Sequence, residues 1–345
     1  MEKTERPYII AGPCSVESRE QLQQVTEALA KLPQVRMIRA GVWKPRTRPG
    51  GFEGLGEPAL RWMQELAAEY HTHYCCEVAR PEHVALCQQY GIQTVWVGAR
   101  TTANPFMVEE LCEALQGSDM EVMVKNPVSP DVRLWIGAIE RLQKAGIEHV
   151  TAIHRGFNVY NNLGYRNAPL WEVAMEFRRE RPDIRILCDP SHIGGRTDLV
   201  TELSLAATQL DYDGLMIEVH PHPADAWTDS AQQISPDNFR QLLASILESL
   251  RATHGNSSSA LEPLRKQIDD IDHEMLHLLA QRMDLSRRIA SVKKEAQLTV
   301  YQAKRWSDVM DDRLALAEQL GINPEFIKGI LESIHGESVR VQMEK

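Results

Sequence analysis

The chain has 345 residues, 43% of them hydrophobic and 25% charged, with a formal net charge of −10. That length accommodates an α/β barrel of about 250 residues plus one small domain, and the composition is that of a soluble globular protein with a sizeable core. The acidic balance excludes general nucleic-acid binding; Tyr8-Ile9-Ile10 ends at Ala11-Gly12-Pro13 without an export h-region, and no membrane span is suggested, so a cytoplasmic location is expected.

Short apolar runs recur before residue 220, at Tyr8 to Ala11, Val35 to Arg39, Thr72 to Val78, Thr94 to Val97, Glu121 to Lys125, His149 to Ile153, Ile184 to Cys188 and Leu215 to Val219. Helical spacing follows most of them, as in Glu20 to Leu32, Pro58 to Tyr70, Pro81 to Tyr90, Pro105 to Leu115 and Pro130 to Ala145. The alternation predicts eight βα units closing into a (β/α)8 barrel. Most runs end near a charged or metal-liganding residue: Cys14, Arg39, Glu77, Arg100, Lys125, Arg155, His192 and Glu218. In such a barrel those ends converge on the active face.

The polar stretch from Arg251 to Ala260 reads as a linker, giving a barrel over 1–250 and a second domain over 261–345. Beyond it no strand-like run remains. Leu261, Leu264, Ile268, Ile271, Met275, Leu278, Leu285, Ile289 and Val292 form a 3-4 heptad stripe, expected on one helix of about 35 residues and roughly 52 Å. So small a domain could hardly cover that stripe, so an all-α hairpin domain that pairs with a second copy as a homodimer is expected. Arg282 falls where the register calls for an apolar residue. A guanidinium on a buried seam implies an internal anion.

Cys14, His192 and Glu218 stand at strand ends, with Asp229 shortly after the eighth strand. One soft, one intermediate and two hard ligands suit Mn, Fe, Co or Zn better than Ca or Mg. The other five cysteines contain no CxxC pair and read as reduced core residues. Arg39, Lys44, Arg46, Arg100, Lys125 and Arg155 would repel one another at one mouth unless the ligand were polyanionic, which points to small phosphorylated, carboxylated substrates.

The strings Ile10-Ala11-Gly12-Pro13-Cys14-Ser15, Lys44-Pro45-Arg46-Thr47, Val97-Gly98-Ala99-Arg100, Lys125-Asn126, His154-Arg155-Gly156, Asp189-Pro190-Ser191-His192 and Glu218-Val219-His220 resemble the 3-deoxy-D-arabino-heptulosonate 7-phosphate (DAHP) synthases over about residues 7 to 250. The resemblance implies condensation of phosphoenolpyruvate with erythrose 4-phosphate on a (β/α)8 barrel, the first step of the shikimate pathway. It implies Cys14, His192, Glu218 and Asp229 as ligands of a divalent metal, foremost manganese. It also implies Arg39, Lys44, Arg100, Lys125 and Arg155 around phosphoenolpyruvate, and Lys44, Arg46 and Thr47 near the other phosphate. Lys44 and His220 are expected to transfer protons or orient water, with Glu77 helping to place that water. Lys-Pro-Arg-Thr favours this branch over the barrels that make 3-deoxy-octulosonate 8-phosphate or sialic acid. Because the chain begins almost directly at strand one, control is expected to reside elsewhere than in an N-terminal extension.

In the tail, Arg282 and Lys293 are eleven apart and about 20° out of phase, so they share a helix face, while Arg265 lies some 25 Å from Arg282 and would serve the partner's site. With Arg305, Ser338 and Gln342 these positions resemble the all-helical chorismate mutases over about residues 261 to 342. The resemblance implies cofactor-free rearrangement of chorismate to prephenate. Trp306 stands where some relatives carry a substrate-binding Glu, and Gln302, one turn earlier, is the expected substitute. A bifunctional enzyme is therefore expected, its barrel controlled by chorismate or prephenate at the tail. The alternatives are a synthase whose tail is a weakly catalytic or non-catalytic sensor, and a metal-dependent aldolase or hydrolase on the same barrel.

Overall fold

A computed structural model describes residues 7–44, 50–160, 162, 164–254 and 261–344. The chain divides into two compact units, Met1–Gly255 and Asn256–Lys345. In the first, eight strands close into a barrel: β1 (Tyr8–Gly12), β2 (Val35–Arg39), β3 (Tyr74–Val78), β4 (Thr94–Val97), β5 (Glu121–Lys125), β6 (Val150–His154), β7 (Arg185–Cys188) and β8 (Gly214–Glu218). Every neighbouring pair is parallel, and β1 closes on β8 from Tyr8 opposite Gly214 to Gly12 opposite Glu218. Strands buried on both faces read as unbroken apolar runs, which is why four or five residues each suffice to mark them.

The helices of this unit are α1 (Arg19–Ala30), α2 (Glu57–Tyr70), α3 (Pro81–Gln89), α4 (Ala99–Thr102), α5 (Pro105–Leu115), α6 (Val132–Lys144), α7 (Trp171–Glu180), α8 (Pro190–Gly194), α9 (Thr197–Gln209) and α10 (Pro236–His254). Their starts are written in capping chemistry. Ser18 accepts from the Gln21 N–H, Asn104 precedes Pro105 and accepts from the Phe106 N–H, and Asp131 accepts from the Leu134 N–H. In α6, Trp135, Ile136, Ile139 and Leu142 supply the buried stripe against the barrel. Helix α10 continues through 251–254, which the sequence reading assigned to the linker, because no Gly or Pro interrupts it before Gly255.

Among the described residues the second unit holds three helices: α11 (Leu261–Glu295), α12 (Ala303–Gln319) and α13 (Pro324–Met343). Helix α13 packs on both others, and α11 meets it through small buried residues, Ser286 and Ala290. All nine stripe residues of α11 remain exposed in the single chain, at 46–63%. Arg282 keeps its place in that register, exposed between Leu278 and Leu285. Its guanidinium reaches from there to donate to Ser338 Oγ on α13. No helix among the described residues is long and apolar enough to cross a membrane.

Candidate active sites

The barrel mouth is built from strand ends whose side chains could not coexist without compensation. Cys14, Glu218 and Asp229 each present a ligand atom within 4.8 Å of the others. The Cys14 thiol donates to Asp229 Oδ2 at 3.3 Å and accepts from Lys44 Nζ at 2.9 Å. Burial, with the charge of Glu218, pushes that thiol up to about 12. Asp229 sits at φ 49°, and Arg166 Nη1 stands 3.0 Å from its Oδ1. Burial alone would raise the Asp229 carboxyl; Arg166, His192 and Lys44 outweigh it and hold the carboxylate ionised.

His192 stands at the edge of this group. Its Nε2 lies 3.7 Å from Glu218 Oε1, while Nδ1 approaches Asp189 Oδ2 at 2.8 Å. Burial depresses the imidazole below its ordinary range, leaving a neutral ring with a lone pair. Beneath lies a lattice of buried charges: Arg39 Nη2 is 3.0 Å from Glu218 Oε1, and Lys125 Nζ is 2.8 Å from Asp189 Oδ2. Both cations lean toward the Trp96 ring, at 5.1 and 5.7 Å from its centroid. Glu218 Oε1, although close to Arg39, is buried with no aligned hydrogen bond among the described residues, an acceptor that a bound cation would complete. A thiol, two carboxylates and a neutral imidazole at one edge fit a divalent transition metal.

Above this group opens a cleft of about 840 Å³. Lys44, Glu77, Arg100, Lys125, Arg155, His192 and Asp229 all line it, so most of the residues singled out along the sequence do converge. Arg155 is held by Asn167 Oδ1 at 2.7 Å, and burial, reinforced by Arg166 and Arg100, pulls its guanidinium down to about 10. Such crowding of cations is relieved by an anion. Glu77 accepts from Trp96 Nε1 at 3.1 Å and presses against Gly98, where any Cβ would come within 2.3 Å of its Oε1.

Two expected residues stand apart from the cleft. Arg39 is 1% exposed and lies under the group as its counter-ion. His220 is buried in the wall, its Nδ1 accepting from the His222 N–H at 3.0 Å and its Nε2 3.4 Å from Glu17. Arg46 and Thr47 lie outside the described residues.

In the tail, Arg282 and Lys293 share α11, and Ser338 and Gln342 face them from α13. Lys293 Nζ donates to the Val300 carbonyl, and Gln342 Nε2 donates to the Ser338 carbonyl at 3.1 Å. Arg265 is exposed and paired with Glu262 at 2.7 Å; Gln302 and Arg305 are exposed at the start of α12. Of the seven expected tail positions, the single unit brings Arg282 and Ser338 into direct contact across α11 and α13.

Residues 2–253 match the DAHP synthetase I family. The chain belongs to that family. Residues 264–343 match the family Chorismate mutase type II, so a DAHP synthase domain is fused to a chorismate mutase domain. The chain is 31% identical over 235 residues to a phospho-2-dehydro-3-deoxyheptonate aldolase of Thermotoga maritima, covering 68% of this chain and 67% of that one. It superimposes on the crystal structure of phospho-2-dehydro-3-deoxyheptonate aldolase (DAHP synthase) from Thermotoga maritima with a TM-score of 0.65, covering 71% of this chain and 70% of that one. The tail is 34% identical over 85 residues to a T-protein of Enterobacter agglomerans, covering 25% of this chain and 23% of that protein.

Within the DAHP synthase domain the sequence reading missed the residues that hold the ligands. Asp189 caps α8 by accepting from the His192 N–H at 3.0 Å and pairs with Lys125; its Asp-Pro start was a readable cap signal. Arg166 and Gln232 lie in long connections, Arg166 donating to Gln232 Oε1 at 2.5 Å and Gln232 to Glu218 Oε2 at 2.7 Å. Arg166 lies on no regular element and Gln232 on a single 3-10 turn, Ser230–Gln232, too short to show a period, so no sequence pattern marks them.

Proposed function

We propose that the barrel condenses phosphoenolpyruvate with D-erythrose 4-phosphate and water to DAHP and inorganic phosphate, and that the tail converts chorismate to prephenate. The observation that carries the first reading is the meeting, in one cleft, of a Cys/His/carboxylate group with Lys44, Arg100, Lys125 and Arg155. Enzymes of this family are generally metal-dependent; here Cys14, His192, Glu218 and Asp229 would hold the ion, manganese foremost, with iron, cobalt or zinc as alternatives. When bound, the ion supplies Lewis acidity to the aldehyde oxygen.

The protein's own groups do the positioning. Arg100, Lys125 and Arg155 clamp the phosphate and carboxylate of phosphoenolpyruvate, so that its C3 faces the aldehyde carbon. Arg46 and Thr47, with Lys44, take the phosphate of the second substrate. Lys44, next to Cys14, delivers a proton to the new alkoxide. Glu77, fixed by Trp96, orients the water that adds at C2 before phosphate leaves. For Arg39 the burial supports a positioning role beneath Glu218, and for His220 the wall location supports one toward Glu17. The decisive experiment measures phosphate release from phosphoenolpyruvate with and without erythrose 4-phosphate, before and after chelation. Release that needs no aldehyde, or survives chelation, would replace this reading with that of another barrel hydrolase or aldolase.

The domains of this reading are a barrel over 1–250, which α10 extends to His254, a mutase domain over 261–345 and a linker between them, in a cytoplasmic homodimer formed through the helical domain. The bare stripe of α11 supports the dimer, because nine exposed apolar residues on one helix form a surface that a soluble monomer rarely leaves open. Chorismate or prephenate bound at the tail lowers barrel activity by a coupling that is reciprocal for binding. Unchanged synthase kinetics at saturating prephenate would sink that part.

A further inference from the structure

His335, Ser338 and Gln342 fall at i, i+3 and i+7 on α13 and form one stripe toward α11. Two polar atoms on that stripe are buried without a hydrogen-bond partner among the described residues: His335 Nε2 and Gln342 Oε1. An unmet buried polar atom costs about 1–3 kcal/mol, so two on one stripe, beside Arg282, mark a surface that a ligand completes. The His335 ring is fixed. It stacks on Trp306 with centroids 3.9 Å apart and planes 15° from parallel, and Tyr301 meets it edge-on at 5.9 Å.

We propose that His335 binds substrate in the mutase site, its Nε2 accepting the hydroxyl hydrogen of chorismate, with Trp306 as the positioning residue that aims the ring. The inference rests on the mutase reading of the tail. Trp306, which follows Arg305, offers no acceptor to the substrate, and the acceptor comes from α13. The groups facing the ring are Arg282 and Lys293 from α11, Tyr301 from the segment before α12, and Trp306 from α12. Burial and the two cations depress the imidazole, so the neutral ring keeps a lone pair on Nε2 when Nδ1 carries the proton. A neutral acceptor has an advantage over a carboxylate: it takes the hydroxyl hydrogen without weakening the positive field that holds the two carboxylates of chorismate.

Mutase kinetics of the full chain between pH 5 and 8 test the proposal. His335→Phe, which keeps an aromatic stack, should lower kcat/KM at least tenfold, and His335→Gln, whose amide oxygen accepts, should recover most of that loss. Wild-type kcat/KM should fall toward acid as the ring protonates, and that limb should vanish in His335→Gln. His335→Phe within twofold of wild type, or a His335→Gln pH profile identical to wild type, would overturn the proposal. Arg282→Ala, assayed in parallel, keeps the two readings apart: retained turnover there would overturn the mutase reading itself, whereas its loss beside an unaffected His335→Phe would overturn only the role of His335.

Discussion

The barrel sets the acids of its mouth against cations of the same chain, whereas the tail leaves its longest apolar surface bare. At the mouth three acids meet cations: Glu218 meets Arg39, Asp189 meets Lys125, and Asp229 meets Arg166. In the tail, His335 Nε2 and Gln342 Oε1 of α13 are buried without a hydrogen-bond partner among the described residues, and the α11 stripe is open to solvent. A closed barrel supplies eight strand ends to one small volume, so charge can be balanced by neighbours. Three helices offer fewer neighbours to one volume, which is why the proposed reading assigns the tail a ligand and a second copy.

The contrast can be broken at either end. Cys14→Ala, or thorough chelation, should reduce DAHP synthesis by roughly 10³-fold or more while leaving mutase kcat/KM within about twofold; paired assays on one preparation would show it, and a parallel fall of both would mean that the two sites are not separately assembled. Arg282→Ala should cost the mutase roughly 10²- to 10³-fold with synthase kinetics unchanged. A charge in the bare stripe, Ile271→Glu, should convert dimer to monomer in sedimentation velocity and lower mutase turnover about tenfold or more, without shifting the synthase KM values; a variant that stays dimeric would assign assembly to another surface.

The smallest effect concerns stability. His154 is fully buried among Trp135, Phe157, Trp171 and Tyr212, and burial lowers its imidazole to about 3. Its folded value lies below the ordinary 6.5, so the unfolded chain binds the extra proton first. The stabilisation is complete above pH 6.5 and is lost as pH falls toward 3, at roughly 1.4 kcal/mol per unit at the steepest. His154→Phe should flatten that part of the pH–stability curve in denaturant titrations of the barrel unit; an unchanged slope would place the acid sensitivity elsewhere.

The eight strands were legible because a strand buried on both faces must be a short apolar run, and the 35-residue helix because its stripe repeats over its whole length. The ends of β6 and β8 differ by one residue from the apolar runs that mark them, and the one-turn helices α4 and α8 carry no period at all. Cys14 and Glu218 were readable because their chemistry is uncommon at strand ends, and Asp229 because it follows the eighth strand in the next loop. Arg166 was not, because a loop guanidinium gains meaning only when folding brings it beside Asp229. Arg39 and Arg282 show a subtler limit. Spacing assigns a residue to a strand end or a helix flank but does not say whether its charge faces a ligand or a neighbouring carboxylate or hydroxyl.

The buried lattice under the cleft also bears on how the barrel meets heat and salt. Arg39 and Lys125 are 1% and 4% exposed, so dissolved ions cannot reach their pairs to screen them. The cost of stripping water from such charges declines as temperature rises. The floor of the site is therefore held by attractions that brine leaves intact and warming does not weaken, while ion pairs on the outer helices, such as Arg141 with Glu109, respond to both.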